Sequence, residues 1–349
     1  MSATSLESRF GVTDVVAYVN PEAHNAAGVH EQIKGVEDCF GVTVEIFESE
    51  ARATDTHEKF LDELAPRLGQ KTLVLVKGGD GQAHLWNELL QSPETPDEAR
   101  RTLTLYCANG NKCDNAFGLN AKQLLQQPRD VLASPQARIA TIYPMQVTFQ
   151  VPEGERTRNV LSYFGIGASG SGAAAIDIAK IGFRDLISKH RVFGKVAQRA
   201  LEPAVVLQAG WVSPTFTLHD TDDPKRHGAA EQVLELLVRN GPRMAGYETS
   251  HNSLEHQQVA ISTAQTQAKG AWRSANIITN GLRLATKTLP TEAYNLQHGA
   301  RSWEITDIEE GVLYGQADGE SFVVAEGPVT IKPGAPLRVI TTKPHSHRI

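Results

Sequence analysis

The sequence predicts a two-domain protein, with an N-terminal doubly wound α/β domain followed by a β-rich, sandwich-like domain. In roughly the first 137 residues, short apolar runs alternate with stretches of helical spacing, which is typical of a parallel sheet covered by helices. Beyond that point, short strands separated by turn residues prevail, which is typical of antiparallel sheets. A chain of 349 residues is long enough to bury two cores.

The first domain is predicted to contain strands and helices in strict alternation. Each strand is a short apolar run, whereas each helix repeats apolar residues every three or four positions. Ligands of doubly wound sheets bind beyond the carboxyl ends of the strands, so the loops after the third and fourth strands are the expected site. The predicted strands are 15–19, 42–47, 73–77 and 103–106, and the predicted helices are 30–40, 56–68 and 83–90.

The second domain is predicted to be mainly antiparallel, with a few helices. We place the first domain at 1–137, completed by 333–343, and the second at 138–332. The glycine-rich stretch 167–172 is interpreted as a flexible turn, because no convincing histidine partner accompanies its serine as a hydrolase nucleophile would require. The predicted strands are 139–143, 146–149, 159–164, 214–219, 302–308 and 327–331, and the predicted helices are 173–188 and 195–201.

Composition argues against several classes of protein. The net charge of −6 argues against a generic nucleic-acid-binding protein, because a phosphate backbone attracts a basic surface. No apolar run approaches the length needed to cross a bilayer, and the N-terminus lacks the layout of a secretion signal. The three cysteines form no CxxC pair, which argues against a disulfide framework or a zinc ribbon. The expected location is the cytoplasm.

The most informative motif is Gly78-Gly79-Asp80-Gly81, which closes the third strand and precedes a helix. Glycines bring the backbone close to a ligand and leave amide N–H groups available to phosphate. The carboxylate among them indicates a metal ion or a proton rather than a second phosphate cradle. A tight strand-to-helix turn without a ligand is the alternative.

Three further segments accompany this turn in a fixed order. Asn20-Pro21 ends the first strand, Gly110-Asn111-Lys112-Cys113-Asp114 follows the fourth, and Asp318-Gly319-Glu320 stands near the C-terminus. In this order the chain resembles a divergent member of the diacylglycerol kinase catalytic family, which includes bacterial lipid kinases and sphingosine kinases. The segments 138–143, 163–168 and 240–243 resemble the strand that opens the family's second domain, its glycine turn and its Asn-centred turn.

The resemblance covers roughly residues 14–340 and implies a lipid kinase with its cleft between the two domains. It implies transfer of the γ-phosphate of ATP, with Mg²⁺, to a hydroxyl of diacylglycerol or a related lipid, as in phospholipid biosynthesis. The implied base is Asp318, with Glu320 and Asp80 as its catalytic partners, and the implied Mg²⁺ ligands are Asp80, Asp114 and Glu320. The implied nucleotide-binding residues are Asn20, Gly78, Gly79, Asp80, Gly81, Gln82, Gly110, Asn111, Lys112 and Asp114.

Several positions depart from the family pattern. Gln82 stands where threonine is usual, and His84 and Leu85 stand where asparagine and glutamate are usual. Cys113 also replaces an asparagine. The carboxylates of the family pattern are therefore kept, whereas several polar residues next to them are replaced. Two alternatives therefore stay open: a soluble-substrate kinase of the NAD kinase type, and a catalytically impaired protein that binds lipid or nucleotide.

The segment 180–199 has a net charge of +5 in a chain of net charge −6. Apolar residues interleave with its basic ones, so the segment is suited to peripheral contact with an anionic membrane, where a lipid kinase meets its substrate. A solvated helix face that covers the second domain is the alternative. The expected partners are a lipid substrate and a second copy of the chain in a homodimer, and no nucleic acid.

Overall fold

The computed structural model describes residues 5–21, 28–50, 53–108, 114–120, 127–189, 208, 213–222, 231–244, 247–248, 253–265, eight positions between 272 and 288, and 290–344. The predicted helix at 195–201 and the residues Gly110, Asn111 and Lys112 lie outside these ranges. The helices are α1 (Leu6–Phe10), α2 (Val29–Phe40), α3 (Ala53–Lys59), α4 (Asp80–Gln91), α5 (Asp114–Leu119), α6 (Pro128–Ala133) and α7 (Ala168–Lys189).

The strands follow the predicted change from parallel to antiparallel pairing. In chain order they are β1 (Asp14–Val19), β2 (Val44–Glu48), β3 (Thr72–Gly78), β4 (Leu103–Ala108), β5 (Arg138–Ile142), β6 (Met145–Val151), β7 (Gly154–Val160), β8 (Tyr163–Gly167), β9 (Phe216–Asp220), β10 (Glu231–Val233), β11 (Glu235–Arg239), β12 (Arg243–Met244), β13 (Tyr247–Glu248), β14 (Gln258–Ala264), β15 (Glu292–Asn295), β16 (Arg301–Thr306), β17 (Tyr314–Ala317), β18 (Glu320–Val323), β19 (Gly327–Pro333) and β20 (Leu337–Thr341).

The first sheet has the strand order β2-β1-β3-β4-β20-β5 among the described residues. Strands β1 to β4 are parallel, β20 runs parallel to β4, and β5 runs antiparallel to β20. The strand β3 is buried at every position, as its continuous apolar run predicts for a central parallel strand. The predicted α/β architecture of this part is confirmed.

Two antiparallel sheets follow, with the orders β10-β9-β16-β19-β6-β7 and β15-β14-β11-β8-β17-β18 in the described part of the chain. They share one apolar core, to which Phe149 of β6 and Phe164 of β8 both contribute. This is the predicted sandwich. No helix among the described residues is long and apolar enough to cross a membrane.

Three details differ from the predictions. The stretch 159–164 is not one strand, because the chain bends at Leu161–Ser162 between β7 and β8. The stretch 167–172 is not a flexible turn, since α7 begins directly after Gly167, whose φ of 95° makes the change of direction in one residue. A Cβ at position 167 would lie 2.2 Å from the carbonyl oxygen of Leu234, so glycine is required there.

The strand β5 joins the first sheet, although its segment resembles the strand that opens the second domain. The bidentate ion pair between Arg138 of β5 and Glu255 joins it to the second half of the chain, with N–O distances of 2.5 and 3.0 Å. Domain limits at 137/138 and 332/333 remain a prediction.

Candidate functional site

The Gly78–Gly81 turn joins β3 directly to α4, which begins at Asp80. A Cβ on Gly78 would lie 2.4 Å from the Cβ of Gln82, so only glycine leaves room for the Gln82 side chain. Gln82 is buried as a result and packs on the turn. The positive end of the α4 dipole thus lies at the carboxyl edge of the sheet, where an anion is stabilised.

Helix α4 is fixed against the first sheet by Trp86. The buried indole donates its Nε1–H to Thr104 Oγ1 of β4 at 3.1 Å. Its ring also packs on Tyr18 of β1, with the ring centroids 5.2 Å apart, and makes a T-shaped contact with Phe60. These contacts hold the start of the helix, and therefore Asp80, in a defined place.

The opposite side of α4 contacts the antiparallel sheets. Asn87 donates its side-chain amide to the carbonyl of Asn159 in β7 at 2.7 Å. The Glu88 carboxylate accepts the backbone N–H of Asn159 at 2.8 Å and its side-chain amide at 3.1 Å. Helix α4 therefore joins the first sheet to the sandwich, and Asn87 and Glu88 lie at that junction.

Asp318 and Gly319 form the two-residue turn between β17 and β18, with φ values of 48° and 93°. Left-handed φ at both central positions is the type I′ hairpin geometry that Asp-Gly favours. Asp318 and Gly319 thus make a hairpin turn, and Glu320 begins β18. Asp318 is only 3% exposed, whereas the Glu320 side chain is half exposed.

The Asp318 carboxylate accepts three backbone N–H groups from the bend between β7 and β8. Oδ2 accepts from Leu161 at 2.6 Å, and Oδ1 accepts from Ser162 at 2.7 Å and Tyr163 at 3.1 Å. Such charge-assisted bonds are stronger than neutral ones and hold the carboxylate in place.

A hydrogen-bonded path connects the predicted catalytic residues Asp80 and Asp318. Asp80 Oδ1 accepts the backbone N–H of Asn115 at 3.0 Å, at the start of α5. The Asn115 side-chain oxygen accepts the hydroxyl of Ser162, whose backbone N–H in turn donates to Asp318. Asn115, Ser162 and Asp318 are buried, so the path is shielded from solvent.

The imidazole of His84 lies among three carboxylates. Its Nδ1 is 3.7 Å from Asp318 Oδ2, and its Nε2 is 3.5 Å from Glu88 Oε1 and 3.9 Å from Glu320 Oε2. Burial alone would lower the pKa of His84, but its contact with Asp318 and the charges of Glu320, Asp318 and Glu88 outweigh burial and raise it.

A cleft of about 890 Å³ opens at this junction. It contains residues from both halves of the chain, which are widely separated in sequence. Those relevant here are Asn20, Gly81, Gln82, His84, Glu88 and Glu320. The predicted nucleotide-binding residues Asn20, Gly81 and Gln82 therefore share one cleft with the predicted catalytic residue Glu320, and Asp80 is the chain neighbour of Gly81.

The Mg²⁺ that the resemblance implies has one well-suited ligand among the described side chains. No group of three or more His, Cys, Asp or Glu residues in this part of the chain could hold a metal ion. Asp80 fits, because Mg²⁺ is commonly held by one or two carboxylates together with phosphate oxygens, and this carboxylate stands at the start of α4. The Glu320 carboxylate lines the same cleft, with its Oε2 3.9 Å from the Nε2 of His84.

The remaining predicted site residues are only partly located. Asp114 begins α5 at the same sheet edge, but its side chain lies outside the described part. Gly110, Asn111 and Lys112 are outside the described residues altogether.

Sequence reasoning did not assign roles to His84, Glu88, Asn115 and Ser162. The spacing of four between His84 and Glu88 on a predicted helix was a usable signal, because such residues share a helix face.

No family model matches the sequence, and no curated protein matches it. Among solved structures, the chain is similar to a diacylglycerol kinase from Bacillus anthracis str. Sterne, at 14% identity and a TM-score of 0.57 over 94% of this chain and 96% of that one. Two putative diacylglycerol kinases from the same organism are each 16% identical. One has a TM-score of 0.59 over 95% of this chain and 98% of its own, and the other 0.60 over 94% and 96%.

These similarities define the class of fold. The chain has the two-part α/β and β-sandwich fold of diacylglycerol kinases, and the resemblance predicted from the ordered motifs is confirmed at the level of the fold.

Proposed function

We propose that this protein is an ATP- and Mg²⁺-dependent kinase that phosphorylates a hydroxyl of diacylglycerol or a related lipid. The observation that carries the proposal is the hydrogen-bonded path from Asp80 through Asn115 and Ser162 to Asp318. Gly81 and Glu320, which lie near its two ends in the sequence, line the cleft. The path connects two parts of the proposed site. One is the Gly78–Gly81 turn, which is suited to nucleotide phosphate, and the other is the hairpin turn at Asp318, which we assign to the lipid hydroxyl. The fold supports the same class of activity, since the similar solved structures are described as diacylglycerol kinases.

Phosphoryl transfer consists mainly of positioning and charge neutralisation, and these residues supply both. The start of α4 stabilises phosphate charge at the Gly78–Gly81 turn. Asn20 follows β1 at the same edge and supplies a polar side chain to the cleft. When bound, Mg²⁺ would neutralise phosphate charge, and Asp80 is the residue that would hold it.

The assignment of a lipid acceptor rests on the Asn20-Pro21 and Asp318-Gly319-Glu320 motifs. The basic segment 180–199 would bring such a kinase to an anionic membrane; its side chains lie outside those described. Sedimentation with anionic liposomes tests this contact. Binding should fall in the triple variant Lys189→Glu, Arg191→Glu, Lys195→Glu, and unchanged binding would refute the membrane contact.

A second candidate is a catalytically impaired protein that binds lipid or nucleotide. The favouring observation is that both oxygens of Asp318 accept backbone N–H groups in a buried bend, which is a structural role. The buried Gln82 in place of a small hydroxyl residue points the same way.

One substrate panel separates the candidates. Purified protein is incubated with Mg²⁺ and radiolabelled ATP together with diacylglycerol, a long-chain base, NAD or no acceptor. Label in a lipid supports the proposal, and label in NAD supports a soluble-substrate kinase. Nucleotide binding by calorimetry without transfer to any acceptor would establish the impaired protein instead.

A further inference from the structure

We infer that a groove at one edge of the sandwich binds a phosphate of the acceptor lipid, and that Arg156 and Arg158 of β7 are the residues that recognise it. The acceptor is then a hydroxyl-bearing anionic phospholipid rather than neutral diacylglycerol. This inference rests on the proposed kinase function and deepens it, because it names the class of lipid that the cleft receives.

The groove lies where the two antiparallel sheets end side by side. In the described part of the chain, β7 is an edge strand of one sheet and β18 is an edge strand of the other. Phe149 of β6 and Phe322 of β18 stack across this edge, with their ring centroids 4.3 Å apart. Beside the stacked pair opens a groove of about 350 Å³, within the range of small-ligand sites. Val151 and Val323 extend its apolar wall.

Two arginines of β7 stand at positions that core residues normally occupy. Arg156 is paired with Phe149 and Arg158 with Val147, and cross-strand partners lie on the same face of a sheet. Phe149 and Val147 belong to the core of the sandwich, so both arginines are on the inner face of their sheet, where they line the groove. Neither guanidinium forms an ion pair or a hydrogen bond with another residue in the described part of the chain.

Two such guanidinium groups beside an apolar wall match an anionic amphiphile. A guanidinium presents its N–H donors in a planar fork, which fits two oxygens of a phosphate group. The apolar wall can cover the first part of an acyl chain at the same time, which is favourable because it removes apolar surface from water. Glu153, in the turn between β6 and β7, is the one acidic residue among the described residues that line the groove, so the groove stays net positive.

The groove is continuous with the cleft. Arg158 lines both of them. On the facing strand, Glu320 lines the cleft and Phe322, two residues further along β18, lines the groove. Two residues of a strand span about 7 Å. A phosphate bound by the two arginines would therefore place a hydroxyl of the same headgroup, a few bonds away, in the cleft.

The transfer step is that of the proposed function, and it balances. The acceptor oxygen forms a bond to the γ-phosphorus of the nucleotide, and the bond from that phosphorus to the β,γ-bridging oxygen breaks. The nucleoside diphosphate leaves with the bond electrons, and the hydroxyl proton is released to solvent. The lipid product carries two phosphate groups, whereas phosphorylated diacylglycerol carries one.

Acceptor preference in mixed micelles of a neutral detergent tests the inference. Phosphatidylglycerol offers hydroxyls and a phosphate, galactosyldiacylglycerol offers hydroxyls without a phosphate, and diacylglycerol offers one hydroxyl alone. With Mg²⁺ and radiolabelled ATP, we expect the wild-type kcat/KM to be about tenfold or more higher for phosphatidylglycerol than for either neutral lipid, as a hydrogen bond to a charged group typically provides.

The variant Arg156→Gln tests the groove separately from the cleft, because Arg156 lines the groove and not the cleft. We expect the preference for phosphatidylglycerol over diacylglycerol to fall about tenfold, while the nucleotide Kd stays within about threefold of wild type. Arg156 is exposed, so the thermal midpoint should not change. Arg129→Gln removes another largely exposed arginine, in α6, and is the matched control that should keep the wild-type preference.

The membrane contact proposed above is tested apart from the groove. The triple variant of segment 180–199 should keep the preference for phosphatidylglycerol. Loss of the preference in that variant would show that micelle charge produces it, and would overturn the inference.

Three further outcomes also overturn it. If wild type phosphorylates the neutral lipids as well as phosphatidylglycerol, the groove does not select the acceptor and the kinase function still stands. If Arg156→Gln keeps the wild-type preference but self-associates in size-exclusion chromatography, the arginine only prevents pairing between sheet edges. If wild type phosphorylates none of these acceptors and none in the substrate panel, the proposed function fails and the inference fails with it.

Discussion

The backbone N–H of Ser162 donates to Oδ1 of Asp318 at 2.7 Å, although the two residues are 156 positions apart in the chain. The same serine uses its hydroxyl to bond Asn115, whose backbone N–H is bound by Asp80. Ser162 thus connects the hairpin at Asp318 to the turn at Asp80. A substitution of Asp80 is expected to change the interaction energy of Asp318, and the reverse, since the members of a buried polar network are energetically coupled.

Asp318→Asn should destabilise the protein. The amide replaces a carboxylate that accepts three backbone N–H groups, and it directs an NH₂ group at one of those donors. We expect the free energy of unfolding to fall by about 2–4 kcal/mol, the range for lost bonds to a charged group together with a buried donor left unpaired.

Chemical denaturation measures this loss, with Asp97→Asn as the control. Asp97 is 89% exposed, so the same replacement there should change stability by less than about 0.5 kcal/mol. Equal stability of Asp318→Asn and wild type would show that the three N–H bonds contribute nothing.

Ser162→Ala should lower kcat more than its effect on stability explains. The backbone bond to Asp318 remains, but the side-chain oxygen of Asn115 loses its buried partner, at a cost of about 1–2 kcal/mol in unfolding free energy. Ser171→Ala is the matched control, because it removes another buried serine hydroxyl bond, to Ser213 at 3.1 Å. If the two variants lose equal stability and equal kcat, the path through Ser162 has no part in catalysis.

The turn at Gly78 shows how far sequence reasoning reaches at this site. Three glycines around a carboxylate after an apolar run predicted a strand-to-helix turn, and local geometry alone is enough to produce one. The packing of Gln82 on Gly78 was not predictable, because it depends on the side-chain direction that the first turn of α4 imposes.

The contacts of His84 show what the sequence could not predict. Its spacing to Glu88 can be read from the sequence, whereas its contacts with Asp318 and Glu320 depend on the packing of a hairpin more than 230 residues away. The parallel sheet and the sandwich were predictable for the opposite reason, since strand periodicity is local. The bend at Leu161–Ser162 was missed because apolar residues stand on both sides of it and conceal the break between β7 and β8.

Gly78→Ala should destabilise the fold by about 1–3 kcal/mol, as overpacking typically does. The new methyl group would lie 2.4 Å from the Cβ of Gln82, and neither the strand end nor the helix start can move freely. Gly35→Ala is the control: nothing lies within 4 Å of a Cβ there, so alanine inside α2 should be neutral or stabilising. Thermal unfolding compares the two variants, and equal midpoints would contradict the packing argument.

His84 should make the stability of the protein depend on pH in a defined direction. Its pKa is raised in the folded state because three carboxylates outweigh burial, so the folded protein binds the His84 proton more tightly than the unfolded chain. The stabilisation is fully present below the unfolded pKa of about 6.5, and it is lost as the pH rises through the higher folded value. The difference in unfolding free energy between wild type and His84→Asn should therefore shrink as the pH rises above about 6.5. Urea denaturation at half-unit pH steps measures it, and a difference that stays constant or grows with pH would refute the raised pKa.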